Sequence, residues 1–168
     1  MGFMNRVFLS LGSNINREHN LPAAVQLLQA RVPVIAVSAV YETAPSGLKD
    51  QPNFFNAAVL IETALQAEAI KDQLIADVET ALKRERQEDK NAPRTIDIDI
   101  AFLNDTVLEY IPADGRPRQI PDPDLLRMVH AIVPIAELAP DMHHPLTDER
   151  LEAIAARLLA ESDRKGIW

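Results

Sequence analysis

The stretch from Thr95 to Leu103, TIDIDIAFL, constrains the fold more than any other part of the chain. Apolar and polar residues alternate with period two, the mark of a strand with two unlike faces. Ile96, Ile98, Ile100 and Phe102 are predicted to point into a core, and Thr95, Asp97 and Asp99 to point the other way. Two carboxylates at i and i+2 on one face repel each other, and aspartate is disfavoured inside strands. Either a solvated sheet face tolerates the pair, or a hard cation joins it and turns the repulsion into a binding site. The interior position tilts the reading toward a metal.

The other segments supply partners for this strand. Val7 to Leu11 reads as a buried strand closed by the turn residues Gly12, Ser13 and Asn14. Leu21 to Ala30 has helical apolar spacing, Val34 to Thr43 reads as one strand, and Phe54 to Thr63 as another. Ala44 to Asn53, with Pro45, Gly47 and Pro52, is a loop. Gln66 to Arg86 is the clearest helix: Ile70, Leu74, Val78 and Leu82 form its stripe, and Lys71, Asp72, Glu79 and Lys83 fall off it. The proline-rich stretch from Pro112 to Pro123 is predicted irregular. Leu125 to Leu138, with a possible break at Pro134, and Asp148 to Glu161 complete the chain as helices.

The order strand, helix, strand, strand, helix, strand gives an α+β fold class. It is a ferredoxin-like split βαβ core: an antiparallel sheet with helices on one face, plus extra C-terminal helices. The other sheet face is expected to stay free for a site. The 168 residues suit a single domain, 1–168.

A net charge of -8 disfavours a nucleic-acid surface, so any anion must meet a local group of arginines. With no cysteine, disulfides, thiolate metal sites and cysteine nucleophiles are excluded, which fits a cytoplasmic setting. No signal peptide or membrane span is read. There is no G-x-x-x-x-G-K-[ST] loop, no G-x-G-x-x-G and no Gly-x-Ser-x-Gly elbow. His143-His144 lacks the spacing of a helical zinc site and reads as loop surface.

Lys83, Arg84 and Arg86 close the long helix, where basic residues ordinarily complement the helix dipole. Arg94, at the head of the aspartate strand, gives them a second meaning: the loop 87–93 could bring Arg84 and Arg94 to one site. On the strand from Phe54, alternation puts Phe54 and Asn56 on one face. A ring beside a primary amide suits a flat polar heterocycle, although a core phenylalanine would look the same.

From Leu9 to Pro140 the chain resembles the 6-hydroxymethyl-7,8-dihydropterin pyrophosphokinases of folate biosynthesis. The run from Pro93 to Ile100 completes the pattern P-R-T-[LI]-D-[LI]-D-[IL]. Tyr41-Glu42-Thr43 with Pro45, and Gln51-Pro52 before Phe54, Phe55 and Asn56, match the pterin side. The resemblance implies transfer of the β,γ-diphosphate of ATP to the pterin hydroxymethyl group, with release of AMP. It implies Arg84, Arg94, Asp97 and Asp99 as catalytic residues, with Asp97 and Asp99 holding two Mg2+ ions. Glu79, Arg84, Arg86, Arg94 and Ile100 would bind ATP. Thr43, Ala44, Ser46, Phe54, Asn56 and His130 would bind the pterin. Partners are then the pterin and ATP, with no nucleic acid and no membrane, and the chain is expected to be a monomer in the cytoplasm.

Five positions depart from the family pattern. Phe54 stands for tyrosine, Asn91 for tryptophan, Asp122 for histidine, Met128 for arginine and His130 for an aromatic wall. All concern pterin or nucleotide rather than metal. They keep open a diverged Mg-ATP pyrophosphokinase for another pterin-like alcohol. A non-catalytic pterin or nucleotide binder is the remaining alternative.

Overall fold

The computed structural model describes residues 3–45, 50–85 and 91–165. Its main sheet runs β5-β1-β4-β2 from β1 (Asn5–Ser13), β2 (Val34–Val37), β4 (Phe54–Thr63) and β5 (Asp97–Leu103), all pairings antiparallel. That is the expected ferredoxin-like order. The short β3 (Tyr41–Thr43) also pairs with β4, so the strand read over 34–43 is two strands. Ser38 makes the break: its hydroxyl accepts the Ala58 N–H at 2.8 Å in place of a carbonyl.

On one face lie α1 (Arg17–Gln29) and a continuous helical rod made of α2 (Ala67–Ala69), a π-helical segment (Ile70–Ile75) and α3 (Ala76–Ala81). They cover a core that includes Val7, Leu9, Leu11, Ile61, Ile70, Ile96, Ile98 and Ile100. The second face is not free, contrary to expectation. Phe8, Ala58, Leu60 and Phe102 pack there under α4 (Val129–Leu138) and α5 (Leu151–Lys165). The uninterrupted run Val7-Phe8-Leu9 is the reason, because a strand buried on both faces does not alternate. The end of the sheet near Ser10, Gly12, Asp97 and Asp99 stays open.

Phe102 also leaves the face of the isoleucines. The β1–β5 register shifts between Phe8 and Leu9, so Ala101 is an extra residue on β5. This bulge turns Phe102 toward α4 and α5 and returns Leu103 to the first core. The stretch 112–123 is not wholly irregular: β7 (Arg118–Ile120) lies inside it and pairs with β6 (Leu108–Tyr110). Helix α4 runs through Pro134, and the break falls earlier, at Arg127 and Met128, after a 3-10 turn (Pro123–Leu126). His143 is exposed as predicted, but His144 is buried edge-on to Phe102, with ring centroids 5.6 Å apart. Among the described residues, no helix is long and apolar enough to cross a membrane.

Candidate active site

Register assembles the site. Gly12 pairs with Asn56 on one side and Asp97 on the other, and Ser10 pairs with Asp99. A Cβ on Gly12 would lie 3.3 Å from Asn56 Oδ1, a tight contact that would press on the Asn56 amide. Asn14 fixes the rim. Its amide donates to Gln51 Oε1 at 2.6 Å and its Oδ1 accepts the Arg94 N–H at 2.9 Å. The loop before β4 and the segment before β5 are therefore tied to the end of β1.

Asp97 accepts Arg84 Nη1 on Oδ1 and Arg94 Nη1 on Oδ2, each at 2.9 Å. Arg84 also pairs with Glu79. How Arg84 reaches this position is set by the end of α3, which stops short of the predicted Arg86. Lys83 takes a left-handed φ of 59°, with Lys83 N–H to Thr80 O and Arg84 N–H to Glu79 O. This is the reversal that usually carries glycine. It folds Arg84 back over Glu79 and Asp97, so this arginine is a site residue and not a solvated dipole partner.

Charge follows geometry. Burial alone would raise the Asp97 pKa, but Arg84, Arg94 and Lys71 outweigh it and hold the carboxyl below its ordinary value. Burial would lower that of Arg84, yet Asp97 and Glu79 raise it. Burial lowers the His130 pKa, with Asp124 and Asp97 opposing. Asp122 is pushed up to about 7 by burial, with Asp99 adding repulsion.

Sequence reading missed Lys71. A regular helix sets it beside the apolar stripe, but the wider π turn brings Ile70, Lys71, Leu74 and Ile75 all to the buried side. Its ammonium donates to Ile98 O at 2.9 Å and to Asp99 Oδ1 at 3.2 Å. A lysine next to a stripe position is too common a pattern to have signalled this.

Two cavities open on the site. The first, about 530 Å³, is lined by Thr43, Ala44, Phe54, Asn56, Arg94, Asp97, Asp99 and His130, and also by Asn91, Asp122 and Met128. Asn56 Nδ2 donates to Thr43 Oγ1 at 2.7 Å. Phe54 faces the cavity while Phe55 lies under Arg17, whose guanidinium is 4.1 Å from the ring centroid. The second cavity, about 420 Å³, is lined by Ile100, Tyr110, Arg118 and Gln119 among others. Asp99, Asp122 and Arg127 belong to both. Glu79 and Arg84 are buried behind Asp97. Ser46 and Arg86 fall outside the described residues.

The donors suit magnesium. Both are hard carboxylate oxygens, and Mg2+ typically takes one or two of these and fills its shell with phosphate and water. Among the described residues there is no group of three or more acidic or histidine side chains placed to hold an ion. Guanidinium groups that can trade a carboxylate for a phosphate complete the class: a transferase acting on a magnesium-bound phosphoanhydride.

Residues 8–140 match the family profile of 7,8-dihydro-6-hydroxymethylpterin-pyrophosphokinase. A 2-amino-4-hydroxy-6-hydroxymethyldihydropteridine pyrophosphokinase of Bacillus subtilis is 34% identical, over 97% of this chain and 89% of its own length. Its namesake in Methylorubrum extorquens is 38% identical, over 83% of this chain and 85% of its own. The chain belongs to this pyrophosphokinase family. The solved Plasmodium falciparum HPPK-DHPS wild type superposes with a TM-score of 0.78 at 13% identity, covering 98% of this chain and 46% of that one. That likeness speaks to fold alone, and the present chain spans less than half of that protein.

Proposed function

We propose that this chain transfers the β,γ-diphosphate of ATP to the hydroxymethyl group of 6-hydroxymethyl-7,8-dihydropterin and releases AMP. One observation carries the reading: Asp99 lies in the wall common to both cavities. A phosphate chain entering from the Ile100 side can therefore meet an acceptor held on the Phe54 side at this carboxylate. In this reading Phe54 and His130 flank the heterocycle, Asn56 reads its edge, and Thr43, Ala44 and Ser46 offer mainly backbone partners. Ile100, Glu79 and Arg86 belong to the nucleotide side.

Asp97 and Asp99 hold magnesium. Two ions suit the charge: ATP brings roughly four negative charges and the aspartates two, and two Mg2+ return about four, leaving roughly two for Arg84 and Arg94. Bound magnesium supplies Lewis acidity at the phosphate oxygens. Arg84 and Arg94 orient the migrating group and stabilise the charge that develops on it. The acceptor hydroxyl oxygen bonds to Pβ and releases its proton to water, the Pα–O–Pβ bridge breaks at Pβ, and AMP leaves with the bridging oxygen. The charge of -8 supports small-molecule partners rather than nucleic acid, and the lack of cysteine supports the cytoplasm.

The test is AMP release from ATP with and without the hydroxymethyl pterin. Pterin-dependent AMP is expected. AMP formed only with a different pterin-like alcohol would favour the second reading, a diverged pyrophosphokinase. Met128 and His130 on the first cavity are what recommend that reading. No AMP with any acceptor would overturn both.

A further inference from the structure

Among the described residues, Arg84, Arg94 and Lys71 pair with Asp97, Glu79 and Asp99, and of these cations Arg94 alone lines a cavity. Arg84 and Arg94 hold Asp97, Arg84 also holds Glu79, and Lys71 holds Asp99. Each of these three carboxylates therefore has a cation beside it. Arg94 lines the first cavity, so its guanidinium can pass from carboxylate to an arriving phosphate. Lys71 cannot follow. Its side chain is 6% exposed, it is anchored to Ile98 O, and it stands on the π-helical segment beneath β5 rather than on a cavity wall. Asp99, by contrast, is 40% exposed and reaches both cavities.

Burying an ammonium carries a desolvation cost of several kcal/mol before its partners repay it, and an apolar side chain would fill the same space among Ile70, Leu74 and Ile75. The Lys71 charge is felt beyond its partner, since it is one of the three that hold the Asp97 carboxyl low. Asp99 Oδ1 is committed to Lys71, and Oδ2 has no protein hydrogen bond among the described residues.

We propose that Lys71 is a positioning residue: a fixed internal counter-cation that orients Asp99 through Oδ1 and keeps the Asp97–Asp99 pair from taking up a divalent ion before the nucleotide arrives. The inference rests on the pyrophosphokinase reading of the site. With Lys71 in place a bare divalent ion meets a carboxylate already paired with a cation and gains less. When the phosphates draw Arg94 away, negative charge is uncovered and metal and nucleotide load together. Lys71 remains on Asp99 and holds its orientation through the transfer.

The experiment is a Mn2+ titration of the full chain followed by electron paramagnetic resonance, with and without α,β-methylene ATP. It compares wild type with Lys71→Met, Lys71→Gln and Lys71→Arg. Without nucleotide, Lys71→Met should bind Mn2+ about tenfold tighter than wild type, the scale expected for removing one cation near a divalent ion in a wet cleft. Lys71→Arg, which keeps the charge, should stay near wild type. With the analogue, the advantage of Lys71→Met should shrink, and its kcat should fall by more than its KM for ATP changes. Lys71→Gln keeps a donor for Ile98 O without the charge and carries the same expectation if Lys71→Met fails to fold. Equal or weaker Mn2+ binding by the folded, uncharged variants would overturn the proposal. Failure of the parent reading shows separately, as absence of pterin-dependent AMP from wild type, whereas the Mn2+ titration without nucleotide needs no turnover.

Discussion

Each oxygen of Asp97 is held by a different arginine, and this makes the residue structural as well as chemical. Asp97→Ala would strip Arg94 and Arg84 of a half-buried partner, although Arg84 keeps Glu79. The expected outcome is loss of nearly all AMP formation together with a stability loss of about 1–3 kcal/mol, read by urea unfolding. Arg94→Ala should lower kcat by about 10²–10³-fold, the usual cost of one transition-state donor, with a smaller change in nucleotide affinity. Equal losses in both would assign Arg94 to binding alone. His130 is the residue where acid should tell. Its pKa is held below the ordinary value of about 6.5, so the imidazole is neutral at pH 7 and charges only as pH falls further. Pterin affinity, followed by fluorescence titration, should be level from about pH 7 to 8 and change only below about 6.5. His130→Phe should flatten the acid limb. A profile identical in both proteins would remove His130 from the pterin wall.

At the scale of elements, what was legible was periodicity, and what was hidden was departure from it. Alternation in TIDIDI assigns Asp97 and Asp99 to one face because that part of β5 is regular, and it fails at Phe102 because one extra residue, Ala101, enters the strand. Nothing in Ala101 itself announces a bulge. The helical stripe Ile70, Leu74 and Val78 is plain, yet the π turn that brings Lys71 inward has no composition of its own. Arg84 was found as a candidate through Arg94, but its route to Asp97 depends on Lys83 adopting a conformation that lysine disfavours. That last point can be tested. A non-glycine residue at φ 59° costs roughly 1–2 kcal/mol, partly offset in glycine by its freer unfolded chain. Lys83→Gly should therefore stabilise the protein by about 1 kcal/mol in thermal or urea unfolding and leave AMP formation unchanged. A destabilised variant would mean that the Lys83 side chain contributes more than its backbone costs.

For the molecule as a whole, the junction of the two cavities links folding to pH. Asp122 borders both cavities, and its carboxyl accepts the Asp124 N–H at 2.9 Å. It makes no ion pair among the described residues, whereas Asp97, Asp99 and Asp124 on the first cavity each do. Burial and the nearby Asp99 raise its pKa to about 7, while in the unfolded chain it titrates near the ordinary 3.9 or so. Between these values the folded protein holds a proton that the unfolded chain has lost. Since the stability slope follows protons bound unfolded minus protons bound folded, this group's contribution is fully present below about pH 4. It declines as pH rises and is lost once pH passes about 7. The whole effect is on the order of a few kcal/mol, at roughly 1.4 kcal/mol per pKa unit. Asp122→Asn keeps an acceptor for the Asp124 N–H and cannot ionise. Its melting temperature should exceed that of wild type at pH 8 and converge toward it near pH 5, where wild-type Asp122 is protonated. Thermal unfolding of both proteins at the two pH values decides the matter: a constant difference would mean that Asp122 is ionised throughout, and that a cation or water at the cavity junction supplies the partner this reading leaves out.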